Sequence, residues 1–256
     1  MGRIASAFRR LGKVNEAALV PYVPVGYPSL EVTRQLVPVI ARQGADLIEL
    51  GVPLTDPVAG GESEVSTISV DECLSVAAEA RRANEIPLLF MSYYDSAQSY
   101  GLEEFATGCA ASGVDGLIIP DLLPEEALPL KTACERAGLD LVLPVAPSTT
   151  EERLKLVTEL ASGFIYCASF NSPTGAGEAQ GEEAARLVAR VRRYTDLPLV
   201  AGYGITTAEQ VTEAARFADG VVVGSALIAL MEGLPEEEIM LDVAGYVRAL
   251  KEATKK

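Results

Sequence analysis

The sequence predicts an α/β fold, a single (β/α)8 TIM barrel over residues 1–256 with a short N-terminal helix. The first observation is length. A chain of 256 residues with 49% hydrophobic content suits one closed barrel of about 250 residues better than two small domains. The second is recurrence: strand-sized apolar runs return at intervals of roughly 20 to 40 residues, each followed by a turn and an amphipathic helical pattern. The third is their number, eight, which is what a closed barrel needs. Strand count alone leaves an open doubly wound sheet as the alternative architecture.

In order, the expected strands are Leu19 to Val25, Leu47 to Leu50, Pro87 to Met91, Gly116 to Ile119, Asp140 to Val145, Gly163 to Ala168, Pro198 to Gly202 and Gly220 to Val223. Between them the 3.6-residue period places helices at Leu30 to Gln43, Val70 to Asn84, Leu102 to Ser112, Pro124 to Ala137, Thr150 to Ala161, Glu182 to Tyr194, Thr207 to Phe217 and Pro235 to Thr254. Thr149-Thr150-Glu151-Glu152 and Thr206-Thr207-Ala208-Glu209 read as capped helix starts with acidic first turns. Gly44-Ala45-Asp46, Gly113-Val114-Asp115 and Phe217-Ala218-Asp219 close helices just before the next strand, the glycines being suited to a left-handed stop.

Charge and composition exclude several functions. A formal net charge of −15 repels nucleic acid and anionic membranes, both of which need a basic footprint. Arg3, Arg9 and Arg10 precede no hydrophobic run, so neither a signal peptide nor a membrane span is expected, and the expected address is the cytoplasm. Cys73, Cys109, Cys134 and Cys167 lack paired spacing and read as small core residues in a reducing compartment. The chain has no histidine, which removes the usual neutral-pH acid/base and the commonest metal ligand; no metal site is expected. Proton transfer falls to carboxylates, with tyrosines as helpers.

In this fold the chemistry sits on the loops that follow the strands. Strand two reads Ile48-Glu49-Leu50-Gly51. If Ile48 and Leu50 face the helices, alternation turns Glu49 into the barrel mouth, where loss of water favours its neutral form and brings its proton affinity toward a working range. The ends of strands seven and eight, Gly202-Tyr203-Gly204 and Gly224-Ser225 opening a short helix, let backbone N–H groups approach an anion. With Thr174-Gly175 after strand six, they make a candidate phosphate cradle that needs no lysine or arginine.

Taken in order, the segments Pro21-Tyr22-Val23-Pro24-Val25-Gly26-Tyr27-Pro28, Glu49-Leu50-Gly51-Val52-Pro53-Leu54-Thr55-Asp56-Pro57, Gly116-Leu117-Ile118-Ile119-Pro120-Asp121, Pro173-Thr174-Gly175-Ala176, Gly202-Tyr203-Gly204-Ile205 and Val223-Gly224-Ser225-Ala226 resemble the alpha subunit of tryptophan synthase over nearly the whole chain. The resemblance implies cleavage of indole-3-glycerol phosphate to indole and glyceraldehyde 3-phosphate, beside a beta subunit that carries pyridoxal phosphate; the alpha chain itself implies no cofactor. It gives Glu49 the proton traffic, makes Tyr166 a second catalytic residue, puts Tyr22 against the indole ring, and turns the Asp56-Pro57 loop toward the beta subunit.

The chain departs from the family pattern at one catalytic position. After Asp56-Pro57 it reads Val58-Ala59-Gly60-Gly61-Glu62, so Gly60 stands where the family's second carboxylate belongs. Glu62 and Glu64 are the candidate replacement carboxylates. Three readings stay open at this stage: a working alpha subunit with a rearranged carboxylate, an alpha-like subunit that binds ligand and regulates a beta subunit, and a lyase for another phosphorylated compound.

Overall fold

The computed structural model describes residues 2–53, 68–168, 177–202 and 204–256. Eight parallel strands close in sequence order: β1 Ala18–Pro24, β2 Ile48–Gly51, β3 Leu88–Met91, β4 Gly116–Ile118, β5 Asp140–Val145, β6 Ile165–Ala168, β7 Leu199–Gly202 and β8 Gly220–Val223, with β8 pairing back onto β1. The open-sheet alternative is thereby excluded, and every expected strand is found within two residues of its expected bounds. The helices are α1 Arg3–Val14, α2 Leu30–Arg42, α3 Val70–Ala83, α4 Tyr94–Tyr100, α5 Leu102–Ala111, α6 Leu128–Ala137, α7 Glu151–Leu160, α8 Gly177–Val191, α9 Ala208–Ala215, α10 Ser225–Met231 and α11 Glu236–Glu252.

Local chemistry accounts for most of these bounds. Thr150 accepts from the Arg153 N–H to start α7, and Thr207 forms a full capping box with Gln210 to start α9. Gly44 and Gly113 take positive φ after α2 and α5, the left-handed stop their sequence positions predict. Three elements differ from expectation. The helix expected from Pro124 begins as a 3-10 turn over Pro124–Glu126 and restarts as α6, whose first turn accepts Pro129 because that N–H is unpaired there anyway. Helix α8 begins at Gly177, five residues ahead of the expected Glu182. Helix α4 was not anticipated; its first N–H, from Tyr94, donates to both Asp121 carboxylate oxygens at 3.0 and 3.2 Å, a cap supplied from the following βα loop.

Two cores result. Outward-facing strand residues such as Ile48, Leu50, Leu88 and Phe90 join the helices in the larger one. Inward-facing residues, among them Val20, Leu47, Leu89, Ile118, Val142, Phe164 and Val222, fill the barrel. Helix α1 closes the N-terminal end of that interior with Ile4, Ala7, Phe8 and Leu11, one helical stripe, and Phe8 meets Phe164 with ring centroids 5.9 Å apart. The opposite end, at the strand C-termini, is left as the mouth.

A repeated clamp sets the register of neighbouring strands. Asp46, just before β2, accepts the Leu19 N–H of β1 at 3.1 Å; Asp115, before β4, accepts Leu88 N–H of β3 at 2.9 Å; Asp219, before β8, accepts Leu199 N–H of β7 at 2.8 Å. Ser162 does the same for Leu141 of β5 at 3.0 Å. Each aspartate is also held by cations: Asp46 by Arg10 and Lys251, Asp115 by Arg81 and Arg3, Asp219 by Arg192.

Removing the Asp46 clamp leaves the buried Leu19 N–H without its acceptor and takes one of two carboxylate partners from the partly buried Lys251. Asp46→Ala should therefore lower stability by about 3 kcal/mol in urea unfolding, while Arg186→Ala, which loses only an exposed pair with Glu182, should leave the midpoint unchanged.

Candidate active site

Alternation along β2 puts Ile48 and Leu50 among the helices and Leu47 in the barrel interior, and so turns Glu49 inward at the mouth as the sequence predicts. Its neighbours in register are Tyr22 on β1 and Leu89 on β3. Glu49 is 0% exposed, and among the described residues neither carboxylate oxygen has a hydrogen-bond partner. Burial pushes its pKa up from 4.5 to about 8, since no described cation or donor offsets the loss of water.

Tyr22 and Tyr166 stand beside it. Burial first, and the charge of Glu49 second, push Tyr22 up to about 12 and Tyr166 well above its ordinary value, so both remain neutral phenols. A cavity of about 200 Å³ brings together Glu49, Tyr22, Tyr166, Gly202, Gly204, Gly224 and Ser225, seven of the residues expected from the sequence. It also recruits Met91, Ile205 and Val222. Met91 carried a legible signal: it lies two residues after the inward-facing Leu89. A wider hollow of about 640 Å³ lies outside the opposite end, bordered by Phe8, Arg9 and Asp140, and contains none of these groups.

The glycines divide into two roles. Gly224 precedes α10, whose first N–H groups, on Ser225 and Ala226, have no carbonyl partner within the helix, and Gly204 holds a positive φ of 79° at the same rim. Gly202 makes room for a side chain: the Tyr166 hydroxyl lies 2.6 Å from where a Cβ on Gly202 would stand. Gly51 serves Tyr22 in the same way, and the sequence reading had assigned it no role. Asp56, Pro57, Gly60, Glu62, Glu64, Thr174 and Gly175 lie outside the described residues. Among the described residues no group of three potential ligands is arranged to hold a metal ion.

A buried acid, two tyrosines and a glycine rim on a closed barrel narrow the choice of family, and the sequence model of the tryptophan synthase alpha chain matches residues 8–255. The chain belongs to the tryptophan synthase alpha chain family. It is 42% identical to the tryptophan synthase alpha chain of Roseiflexus castenholzii over 98% of this chain and 100% of that one. The alpha chain of Dehalococcoides mccartyi is 40% identical over 99% of each. Among solved structures, ligand-free tryptophan synthase from M. tuberculosis superposes with a TM-score of 0.88 at 31% identity, covering 100% of both chains. The tryptophan synthase alpha subunit of Legionella pneumophila gives 0.89 at 29% identity over 99% of this chain and 98% of that one. As a tryptophan synthase alpha chain family member, the protein is a lyase of tryptophan biosynthesis on a TIM barrel.

The dry carboxyl makes a sign-definite prediction for stability. The folded protein holds the Glu49 proton up to about pH 8, whereas the unfolded chain releases it near 4.5. Stability contributed by this site is therefore undiminished below pH 4.5 and falls as pH rises through the interval. The stability difference between wild type and Glu49→Gln should shift in favour of the variant, on the order of 4 kcal/mol, between pH 4 and pH 8. Urea midpoints across that range read it directly; parallel curves would show that Glu49 is not held neutral.

Proposed function

We propose that the chain cleaves indole-3-glycerol phosphate to indole and glyceraldehyde 3-phosphate, with Glu49 as the acid/base. The observation that carries this reading is the unpartnered carboxyl of Glu49 at the barrel mouth, poised near pH 8 and facing the glycine rim. A retro-aldol cleavage at this ring needs one group that gives a proton to C3 and then takes one from the adjacent side-chain hydroxyl. A neutral carboxylic acid without competing hydrogen bonds does both in turn. The substrate phosphate lies at Gly204 and the Gly224-Ser225 helix start, with Thr174 and Gly175 completing the cradle; local N–H groups hold it against the chain's net charge of −15. Tyr166 bounds the reacting carbon from β6.

The partner in this reading is a tryptophan synthase beta subunit, which would carry the pyridoxal phosphate. The exposed apolar groups Tyr93, Leu123 and Leu128 lie on the loops and helix starts around the same mouth and give a docking face, to which the Asp56-Pro57 segment is assigned from its sequence motif alone. The complex would be a cytoplasmic heterotetramer. Among the described residues, no helix is long and apolar enough to cross a membrane.

Release of glyceraldehyde 3-phosphate from indole-3-glycerol phosphate tests the reaction. Wild type should turn over and Glu49→Gln should lose about 10³-fold or more in kcat/KM. Equal inactivity of both, with ligand still bound, would instead favour the regulatory subunit. For the partner face, Leu128→Glu, at a side chain 64% exposed, should leave the fold intact and weaken association with the beta subunit by titration calorimetry.

A further inference from the structure

We propose that the Tyr22 hydroxyl accepts the ring N–H of the substrate, a catalytic contact additional to Glu49; the assignment rests on the lyase reading above. The need for such a group follows from the chemistry. When Glu49 gives its proton to C3, the ring nitrogen lone pair takes up the positive charge as an iminium, and its N–H becomes a far stronger acid and donor. An acceptor there stabilises the charge as it develops. Gly60 offers no side chain for this task.

The cavity leaves one described hydroxyl in the right place. With the phosphate at the ends of β7 and β8, the ring lies toward β1, β2 and β3, over Met91. Ser225 belongs to the phosphate end, and the Tyr166 hydroxyl lies over Gly202 on that same side. The Tyr22 ring runs the other way. Its Cβ and Cδ1 lie 3.4 Å from where a Cβ on Gly224 would stand, and its hydroxyl lies over Gly51, at the end of the strand that carries Glu49. Two glycines, Gly51 at the end of β2 and Gly224 just after β8, thus leave room for this ring across the mouth. A side chain at residue 51 would collide with the hydroxyl.

The step balances without a further reactant. Glu49 protonates C3, and the iminium N–H donates to Tyr22 Oη, which keeps its own proton because burial holds the phenol neutral up to about pH 12. The Glu49 carboxylate then removes the proton of the side-chain hydroxyl on the carbon bonded to C3. The released pair forms the aldehyde C=O, the C–C bond breaks, and its electrons return to the ring to give neutral indole.

The test is a chemical double-mutant cycle read by calorimetric binding. The ligands are a non-cleavable indole 3-propyl phosphate and its benzofuran analogue, in which ring oxygen replaces N–H. Wild type should prefer the indole ligand by about 3- to 10-fold, one net hydrogen bond, and Tyr22→Phe should abolish the preference. Turnover of indole-3-glycerol phosphate by Tyr22→Phe should also fall about 10-fold in kcat. A preference that survives in Tyr22→Phe overturns the assignment, and its loss in Glu62→Gln or Glu64→Gln instead gives the role to a loop-two carboxylate. Failure of the wild type to cleave indole-3-glycerol phosphate would sink the lyase reading alone, because the ligand preference is read without catalysis.

Discussion

Everything at the mouth depends on strand register. In a closed parallel barrel a slip of one residue would exchange the inward and outward faces of a strand, and Glu49 would pass from the interior to the helix layer. The clamps from Asp46, Asp115, Ser162 and Asp219 act at the other end of the barrel, yet they fix which residues reach the top. Helix α1 reinforces the same end by filling the interior with Ile4, Phe8 and Leu11. Stability is thus concentrated at the strand N-termini, and the C-terminal ends are free to carry groups that a core would not choose. The division matches the general separation of stabilising and catalytic faces in this fold.

Glu49 is the chief of these. A carboxyl without a partner in a dry site is a liability for folding, and nothing among the described residues relieves it. The described neighbours of Glu49 favour its staying protonated: none of them is a cation, and the adjacent polar side chains are phenols that cannot ionise near neutral pH. The same environment that costs stability keeps the carboxyl protonated near neutral pH, as the proposed acid/base role requires. The glycines of the rim belong to this economy of space, since Gly51 and Gly202 admit the two tyrosine hydroxyls.

Most of the barrel was legible in the sequence because its determinants are local. Apolar runs bounded by Gly and Asp marked the strands, and threonine caps marked α7 and α9. Glu49 was legible for the same reason, since two flanking aliphatics fix its direction. What escaped depends on contacts distant in the chain. The cap on α4 comes from Asp121, 27 residues away. Gly202 reads as a phosphate glycine from its dipeptide context, while its vacancy faces Tyr166, 36 residues before it. The aspartate clamps lay in between: Gly44-Ala45-Asp46, Gly113-Val114-Asp115 and Phe217-Ala218-Asp219 were visible as helix stops, but the acceptor role of each aspartate needs the neighbouring strand.

The four clamps also impose a grouping on the chain. They join β1 to β2, β3 to β4, β5 to β6 and β7 to β8, and none of the four spans the seams between those pairs. The barrel is in this sense a ring of four modules, each with its own internal fastening, held to the next by the backbone ladder and the shared interior. A break in the chain at a seam, such as the one between β4 and β5, leaves each of these four hydrogen bonds within one fragment or the other, while the Lys251 pairs with Asp46 and Glu16 reach across it. A break within a pair separates a clamp from the strand it holds. Fragment reassembly, recombination between relatives and duplication of barrel pieces therefore have natural boundaries here, and these fall after every second strand.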